Sequence, residues 1–275
     1  MRFRTILFAT AALGLAGGPA SATTITLNLV DSFARTSAFG LAYDGTNVWW
    51  SGNDGVVHEM TTAGVDTGNT ITGNYWSALA WTGSKLLTMT GGSTLAFDRS
   101  TAAGVSYTTL NPVTTAIAGG RGGLIDGLDV QGGTLWWSPD VDLVYTSPLD
   151  GSGSRSTFLG GAGGYSGVEY LTAAGSDYVL VVNDASSPRR LCVHDTAAVE
   201  IGCTTLANSR FEDLAFDGRY LYAADYFGSR IDKIDVLADG SSIFEPPVTG
   251  VPEPASLALL GLGLAGLGMT RRKEG

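Results

Sequence analysis

Five carboxylates fall at one recurring place in the chain: Asp126 and Asp129 in Asp126-Gly-Leu-Asp129, Glu169 in Ser166-Gly-Val-Glu169, and Glu212 and Asp213 in Glu212-Asp213-Leu214. Carboxylates that converge offer hard oxygen ligands, and Ca2+ is the ion such a set would hold. Carboxylates that diverge are solvated or pair with arginine. Two further stretches of the same pattern carry Phe39, Ala42, Ser77 and Ala80 at the corresponding places, so a complete metal cage would lack ligands there.

Other catalytic constellations are missing. Gly164-Tyr-Ser166-Gly167 lacks the last glycine of a nucleophile elbow. The two histidines, His58 and His194, fall on similar third strands and read as outer-face residues, not a catalytic pair. Asp150-Gly-Ser-Gly-Ser and Gly160-Gly-Ala-Gly-Gly are loops with no lysine to make a phosphate cradle. No catalytic residue is assigned. Trp49-Trp50 and Trp136-Trp137 recur at equivalent positions, with Trp76 and Trp81 nearby. Neighbours on a strand face opposite ways, so one tryptophan of each pair must be buried while the other is core filler or an exposed face for a sugar ring.

The elements that position these residues form a repeat. Similar units begin at Phe39-Gly-Leu-Ala-Tyr-Asp-Gly45, Ser77-Ala-Leu-Ala-Trp-Thr-Gly83, Asp126-Gly-Leu-Asp-Val-Gln-Gly132, Ser166-Gly-Val-Glu-Tyr170 and Glu212-Asp-Leu-Ala-Phe-Asp-Gly218. Their anchoring aliphatics, Leu41, Leu79, Leu128, Val168 and Leu214, are 38, 49, 40 and 46 residues apart, the spacing of propeller blades. In four units a glycine follows the anchor by four residues and a second strand comes about eight residues after it; the fourth unit fits with an insertion before Gly175. Third strands follow around Val56–Met60, Thr94–Asp98, Leu143–Thr146, Arg190–His194 and Arg230–Val236.

The last unit lacks a fourth strand of its own, since Ile243-Phe-Glu-Pro-Pro247 is broken by prolines. Thr24-Ile-Thr-Leu-Asn-Leu-Val30 alternates apolar and polar, and closes the ring as the outer strand of the final blade. Many glycines, short strands and few lysines or glutamates fit the same class. The expected fold is all-β, a β-propeller of five blades over 23–250. Six is the alternative, because Val105 to Gly123 is long enough to hide strands.

The two ends are addresses. Met-Arg-Phe-Arg, an apolar run from Thr5 to Ala16, and small residues at Ala20 and Ala22 predict a signal peptide over 1–22, cleaved after Ala22. At the other end Val251-Pro252-Glu253-Pro254 precedes an apolar stretch from Ser256 to Met269 and the basic cluster Arg271, Arg272 and Lys273. That stretch predicts a short transmembrane helix with its basic end held on the cytoplasmic side of the inner membrane. Gly261-Leu-Gly263-Leu-Ala-Gly266 matches a dinucleotide fingerprint by chance, since it follows no strand and lies in this apolar segment.

The whole chain carries a net charge of −10. Loss of both ends removes five basic residues and, with Glu253 and Glu274, two acidic ones, leaving −13. This opposes nucleic acid or an anionic membrane surface as partner, and permits cations. In an exported chain, a hairpin turning near Thr196 and Ala197 sets Cys192 opposite Cys203 and predicts one disulfide. Metal binding there is the weaker reading, since His194 is the one further ligand nearby.

Residues 251–275, with Val-Pro-Glu-Pro, a short apolar helix and a terminal arginine cluster, resemble the PEP-CTERM sorting signal. The resemblance implies recognition by an exosortase, removal of the tail, and delivery to the cell surface or extracellular polysaccharide matrix of a Gram-negative bacterium. Glu212 to Val236, with Leu-Ala-Phe-Asp-Gly, Leu-Tyr-Ala-Ala-Asp and Arg-Ile-Asp-Lys-Ile-Asp, is similar to repeats of NHL and gluconolactonase-like propellers. That resemblance implies either a binding module or a lactonase with a central metal held by acid and amide side chains. Two expectations follow. The leading one is a non-enzymatic scaffold binding polysaccharide or another envelope protein; the other is a metal-dependent hydrolase of the lactonase type acting through an acidic central channel.

Overall fold

The computed structural model describes residues 23–72, 77–90, 93–97, 108–110, 125–139, 143–150, 155–161, 164–184 and 186–245. The segment expected to be a signal peptide, with Ala20 and Ala22, and the tail with Val251 to Pro254 and Arg271 to Lys273, lie outside these residues. So do Trp76 and most of the stretch from Val105 to Gly123.

The described residues fold as strands. The first, β1 (Ile25–Ala34), belongs to the last sheet. Blade 1 is β2 (Leu41–Tyr43), β3 (Asn47–Ser51), β4 (Val56–Thr61) and β5 (Asp66–Thr72). Blade 2 is β6 (Leu79–Trp81), β7 (Leu86–Thr90), β8 (Ser93–Phe97) and β9 (Thr108–Leu110). Blade 3 is β10 (Gly127–Gln131), β11 (Thr134–Ser138), β12 (Val144–Pro148) and β13 (Ser156–Leu159). Blade 4 is β14 (Tyr165–Ala173), β15 (Ser176–Asn183), β16 (Arg190–His194) and β17 (Glu200–Thr205). Blade 5 is β18 (Phe211–Phe216), β19 (Leu221–Asp225) and β20 (Arg230–Ala238), extended by the short β21 (Ser241–Ser242). Each first strand abuts the first strand of the next blade, and β18 abuts β2, so five sheets close into a propeller-like ring.

Closure is made by the N-terminal segment. β1 runs antiparallel to β20 from Ile25 opposite Ala238 to Ala34 opposite Arg230, with a bulge between Leu29 and Asp31. The strand expected from Thr24 to Val30 is the missing outer strand. Ile243 and Phe244 turn inward instead and pack between blades 4 and 5.

The core consists of wedges between blades. Leu171, Leu180, Val193, Phe211, Leu214 and Val236 fill the one between blades 4 and 5. Leu41, Trp50 and Met60 meet Ala215, Tyr222 and Ile231 between blades 5 and 1. Trp49, Val57 and Ile71 meet Leu79 and Leu86 between blades 1 and 2. Because each sheet is covered on both faces, adjacent residues of the second strands are both apolar. For the tryptophan pairs this decides between the two readings in favour of core filler. Trp49 and Trp50 are 2% and 8% exposed and Trp136 and Trp137 are 8% and 0%, so neither pair offers a ring to solvent.

Turns follow the glycine pattern. Gly45, Gly83 and Gly218 each lie four residues past an anchor with φ of 90°, 89° and 93°, the left-handed region where glycine costs least. Asp44 and Asp217 cap these turns. Asp44 Oδ1 accepts from the N–H of Thr46 and Asn47 at 2.9 Å while its Oδ2 accepts from Trp49 Nε1 at 2.6 Å. Asp217 does the same with Arg219, Tyr220 and the Tyr222 hydroxyl.

Cys192 and Cys203 face each other in the register of β16 and β17 and are joined, closing the hairpin whose turn holds Thr196 and Ala197. The bond closes a short loop at the outer edge of blade 4. Replacing both cysteines by serine should cost about 2 kcal/mol and lower the thermal midpoint by several degrees. Differential scanning calorimetry of the double variant checks this; an unchanged midpoint would mean the hairpin is held by its strand pairing alone.

Candidate functional site

The first strands are edge strands facing the central channel, so alternate N–H groups on each point inward without a sheet partner. Side chains from neighbouring first strands meet these groups. In the five aligned strands the residue before the anchor is Gly40, Ala78, Gly127, Gly167 and then Asp213. The small residues let the strands crowd together. A Cβ on Gly40 would lie 2.1 Å from the Ser77 carbonyl oxygen, and one on Gly127 would lie 2.3 Å from that of Ser166. The space left at the axis takes one side chain, Asp213, which is fully buried.

Asp213 ties the ring together. Its Oδ2 accepts from Leu41 N–H at 2.9 Å and Leu79 N–H at 3.1 Å, and its Oδ1 from Leu214 N–H at 2.9 Å and more distantly from Leu128 N–H at 3.4 Å. One carboxyl thus reaches blades 1, 2, 3 and 5. Burial raises its pKa well above the usual carboxylate range, against the pull of these four donors.

Two residues further along, the same column reads Ala42, Ala80, Asp129, Glu169 and Ala215. Asp129 Oδ2 accepts from Tyr170 N–H of the next blade at 2.9 Å, and its Oδ1 from Val130 N–H at 2.6 Å. Glu169 Oε1 accepts from Phe216 N–H of the blade after that at 2.9 Å. Burial pushes Asp129 up to about 6. Glu169, only 7% exposed, is raised well above its usual value by burial and then by the neighbouring Asp129 and Asp213.

Both side chains line a cavity of about 380 Å3 at this end of the channel. All five blades contribute to it. Tyr43, Trp81, Val130, Tyr170 and Phe216 form an almost wholly aromatic collar, one from each first strand, above Ala42, Ala80 and Ala215. Among the described residues the cavity's lining holds Asp129, Glu169 and Asp217 but no lysine, arginine or histidine.

The opposite end is closed by polar ties. Ser51 Oγ donates to the Ser77 carbonyl at 2.7 Å, Ser77 Oγ donates to that of Ile125 at 2.8 Å, and Ser138 Oγ donates to that of Ser166. Arg210 pairs with Asp184 of blade 4 and, at 3.1 Å, with Glu212 of blade 5. Asp126 is buried at this same end.

The structure therefore divides the expected acidic set. Asp129 and Glu169 share the cavity, Asp213 lies beneath them within the ring, and Asp126 and Glu212 sit at the far end. Among the described residues, no three of these carboxylates bring ligand atoms within 4.8 Å of one another; the one such group is Cys192, Glu200 and Cys203, whose sulfurs form the disulfide. The alternative of arginine-paired carboxylates holds for Glu212. Asp129 and Asp213 accept backbone N–H groups at both oxygens and Glu169 at one, which no residue pattern advertises. His194, expected on an outer face, is buried against Phe158, with its pKa lowered by burial. His58 is half-buried, stacked on Trp50 with ring centroids 4.3 Å apart and bonded to Asp54 at 2.8 Å. Sequence reasoning passed over the collar, though its residues stand two places after each anchor.

Residues 250–273 match the PEP-CTERM protein-sorting motif, which implies processing by an exosortase and an exported protein of the Gram-negative cell envelope. No curated protein matches the sequence. In fold the chain is similar to the glutaminyl cyclase of Myxococcus xanthus, with a TM-score of 0.56 and 14% identity over 79% of this chain and 99% of that one. The β-propeller domain of Cps50 (Swd1) from Myceliophteria thermophila aligns at a TM-score of 0.42 and 14% identity, over 73% of this chain and 65% of that one. At such identity the cyclase likeness extends to the fold alone.

Proposed function

We propose that this exported chain is a binding scaffold of the cell surface or extracellular matrix, and that its binding face is the aromatic-collared end of the channel. The observation that carries this reading is the cavity itself: all five blades line it, it is largely preformed, and its few polar groups sit on the floor. Extracellular polysaccharide or another envelope protein is the partner class that the sorting signal favours. The aromatic surface for such a partner is Tyr43, Trp81, Tyr170 and Phe216, not the buried tryptophan pairs.

The rival reading, a lactonase-type hydrolase, needs a resident metal. Ca2+ takes six to eight oxygens. In the cavity both oxygens of Asp129 and one of Glu169 already accept backbone N–H groups, so the floor does not offer that shell. Calorimetric titration of the purified full chain with Ca2+ should give no binding heat. Tight binding abolished by Glu169→Ala and Glu212→Ala would overturn the scaffold reading and turn attention to lactone hydrolysis. In the same preparation, immobilised polysaccharide from the producing cells should retain the native chain and release Trp81→Ala several-fold more readily; equal retention would move the binding face elsewhere.

A further inference from the structure

The cavity has a chemical bias beyond its shape. Glu169 lies under the aromatic collar, more than nine-tenths buried, with one oxygen held by Phe216 N–H and no hydrogen bond from the protein to the other. That second oxygen opens on the cavity, where a ligand N–H can take the place of water as its donor. Asp129 stands on the next blade in the same cavity, with Asp217 at its rim, and no cationic side chain is among the residues that line it. The positive residues close by turn their heads elsewhere. Lys233 lies over Tyr220 at 4.5 Å and donates to the Thr62 carbonyl, while Arg219 lies over Tyr220 at 4.4 Å and pairs with Asp235 and Glu245.

The geometry points to a primary ammonium group as what this cavity binds, carried on a ring or chain small enough to pass the aromatic collar. This rests on the cavity being the binding face, as proposed above, and names the ligand chemistry of that face. An ammonium N–H donates to the open oxygen of Glu169, whose proton leaves to solvent as the cation enters, its charge faces Asp129, and Tyr43, Trp81 and Tyr170, which line the cavity, border the cation and the carbon skeleton behind it. A neutral hydroxyl makes the first contact alone. A quaternary ammonium keeps the aromatic contacts but has no N–H for Glu169. Ca2+ gains nothing from the collar. A primary amine is the one of these groups that uses the floor and the collar together.

Sugar and non-sugar amines share this chemistry, so the test carries one pair of each. Glucosamine is set against N-acetylglucosamine, which keeps the ring and loses the charge, and butylamine against butanol. Binding to the purified full chain is followed by calorimetry and by tryptophan fluorescence. At least one amine should bind ten-fold or more tightly than its neutral partner, a difference of about 1.4 kcal/mol. Glu169→Gln, which keeps an oxygen for Phe216 N–H, should remove that preference while leaving the circular dichroism spectrum unchanged. Which pair responds tells an amino-sugar ligand from a simple amine. Equal binding of amine and neutral partner, lost in Trp81→Ala, would overturn the ammonium inference and leave the cavity as the binding face. Binding by any probe that neither Glu169→Gln nor Trp81→Ala weakens would overturn both. Silence from all four probes at millimolar concentration would overturn the ammonium inference, and the polysaccharide retention of Trp81→Ala would then decide the cavity by itself.

Discussion

Replacing Asp213 by asparagine should lower the thermal midpoint by roughly 8–16 °C, the largest single-residue effect expected in this fold. The reason is the count of donors at the axis. Both carboxyl oxygens accept, Oδ2 from Leu41 and Leu79 and Oδ1 from Leu214 and Leu128. An amide keeps one accepting oxygen and turns its NH2 toward two backbone N–H groups, donor against donor. Those two groups are buried on edge strands where no water or sheet partner replaces the lost bond, and each costs about 1–3 kcal/mol unsatisfied. The sum is about 4 kcal/mol, and Asp213→Ala, which strands all four donors around a small void, should cost more. Calorimetric unfolding of both variants beside Asp177→Asn, an exposed position on blade 4, makes the comparison. A midpoint for Asp213→Asn within a degree or two of the native chain would sink the idea that this carboxyl holds the ring.

Much of this was readable in the residues. The spacing of Leu41, Leu79, Leu128, Val168 and Leu214 gives five blades because each anchor is the first strand's contribution to a wedge of core, and a wedge cannot be skipped. The closing strand was legible from alternation at Thr24 to Val30 and from the prolines that deny blade 5 an outer strand of its own. The Cys192–Cys203 bond followed from a hairpin register.

What was not legible was direction. Asp126, Asp129, Glu169, Glu212 and Asp213 look alike in a string, yet a shift of one place along a strand sends a side chain to another face. Asp213 stands in a column otherwise filled by glycine and alanine, and that contrast was the available sign that one side chain takes the space the others leave. Glu169 and Asp129 stand opposite alanines in the next such column. Their acceptance of N–H groups depends on neighbouring blades, which meet only once the ring has closed. The tryptophan pairs left two readings open for a related reason: periodicity tells which residues face opposite ways, and not that both sides of a blade are covered, which is what makes both tryptophans core filler.

The second large effect is on pH. Most folds held by ion pairs lose stability as acid protonates their carboxylates. Between pH 5 and pH 8 this chain should do the reverse, because two of its cavity carboxyls have pKa values raised by burial: Asp129 to about 6, and Glu169 well above the ordinary range. In that window the folded state binds more protons than the unfolded chain. The contribution to stability is fully present below the unfolded value near 4 and is lost as pH rises through the folded values. Asp129, partly open to the cavity, accounts for about 2 kcal/mol of this, and Glu169 adds to it with the same sign. The groups facing Glu169 are Asp129 on β10, Asp213 on β18, Tyr43 on β2, Tyr170 on β14 and Asp217 after β18; none is a cation that would keep it ionised. His194 opposes the trend, since a lowered imidazole pKa favours the fold as pH rises, but it is one group against two. Net self-repulsion of a chain at −10 pushes the same way as the two carboxyls. Glu169→Gln and Asp129→Asn separate the two causes. Each should raise the midpoint at pH 8 by several degrees and leave it nearly unchanged at pH 4, while Asp177→Asn, which removes the same charge from the surface, should do neither. If the native midpoint instead climbs steadily from pH 5 to pH 8, these carboxyls are ionised in the folded ring, and the floor of the cavity is anionic before any ligand arrives.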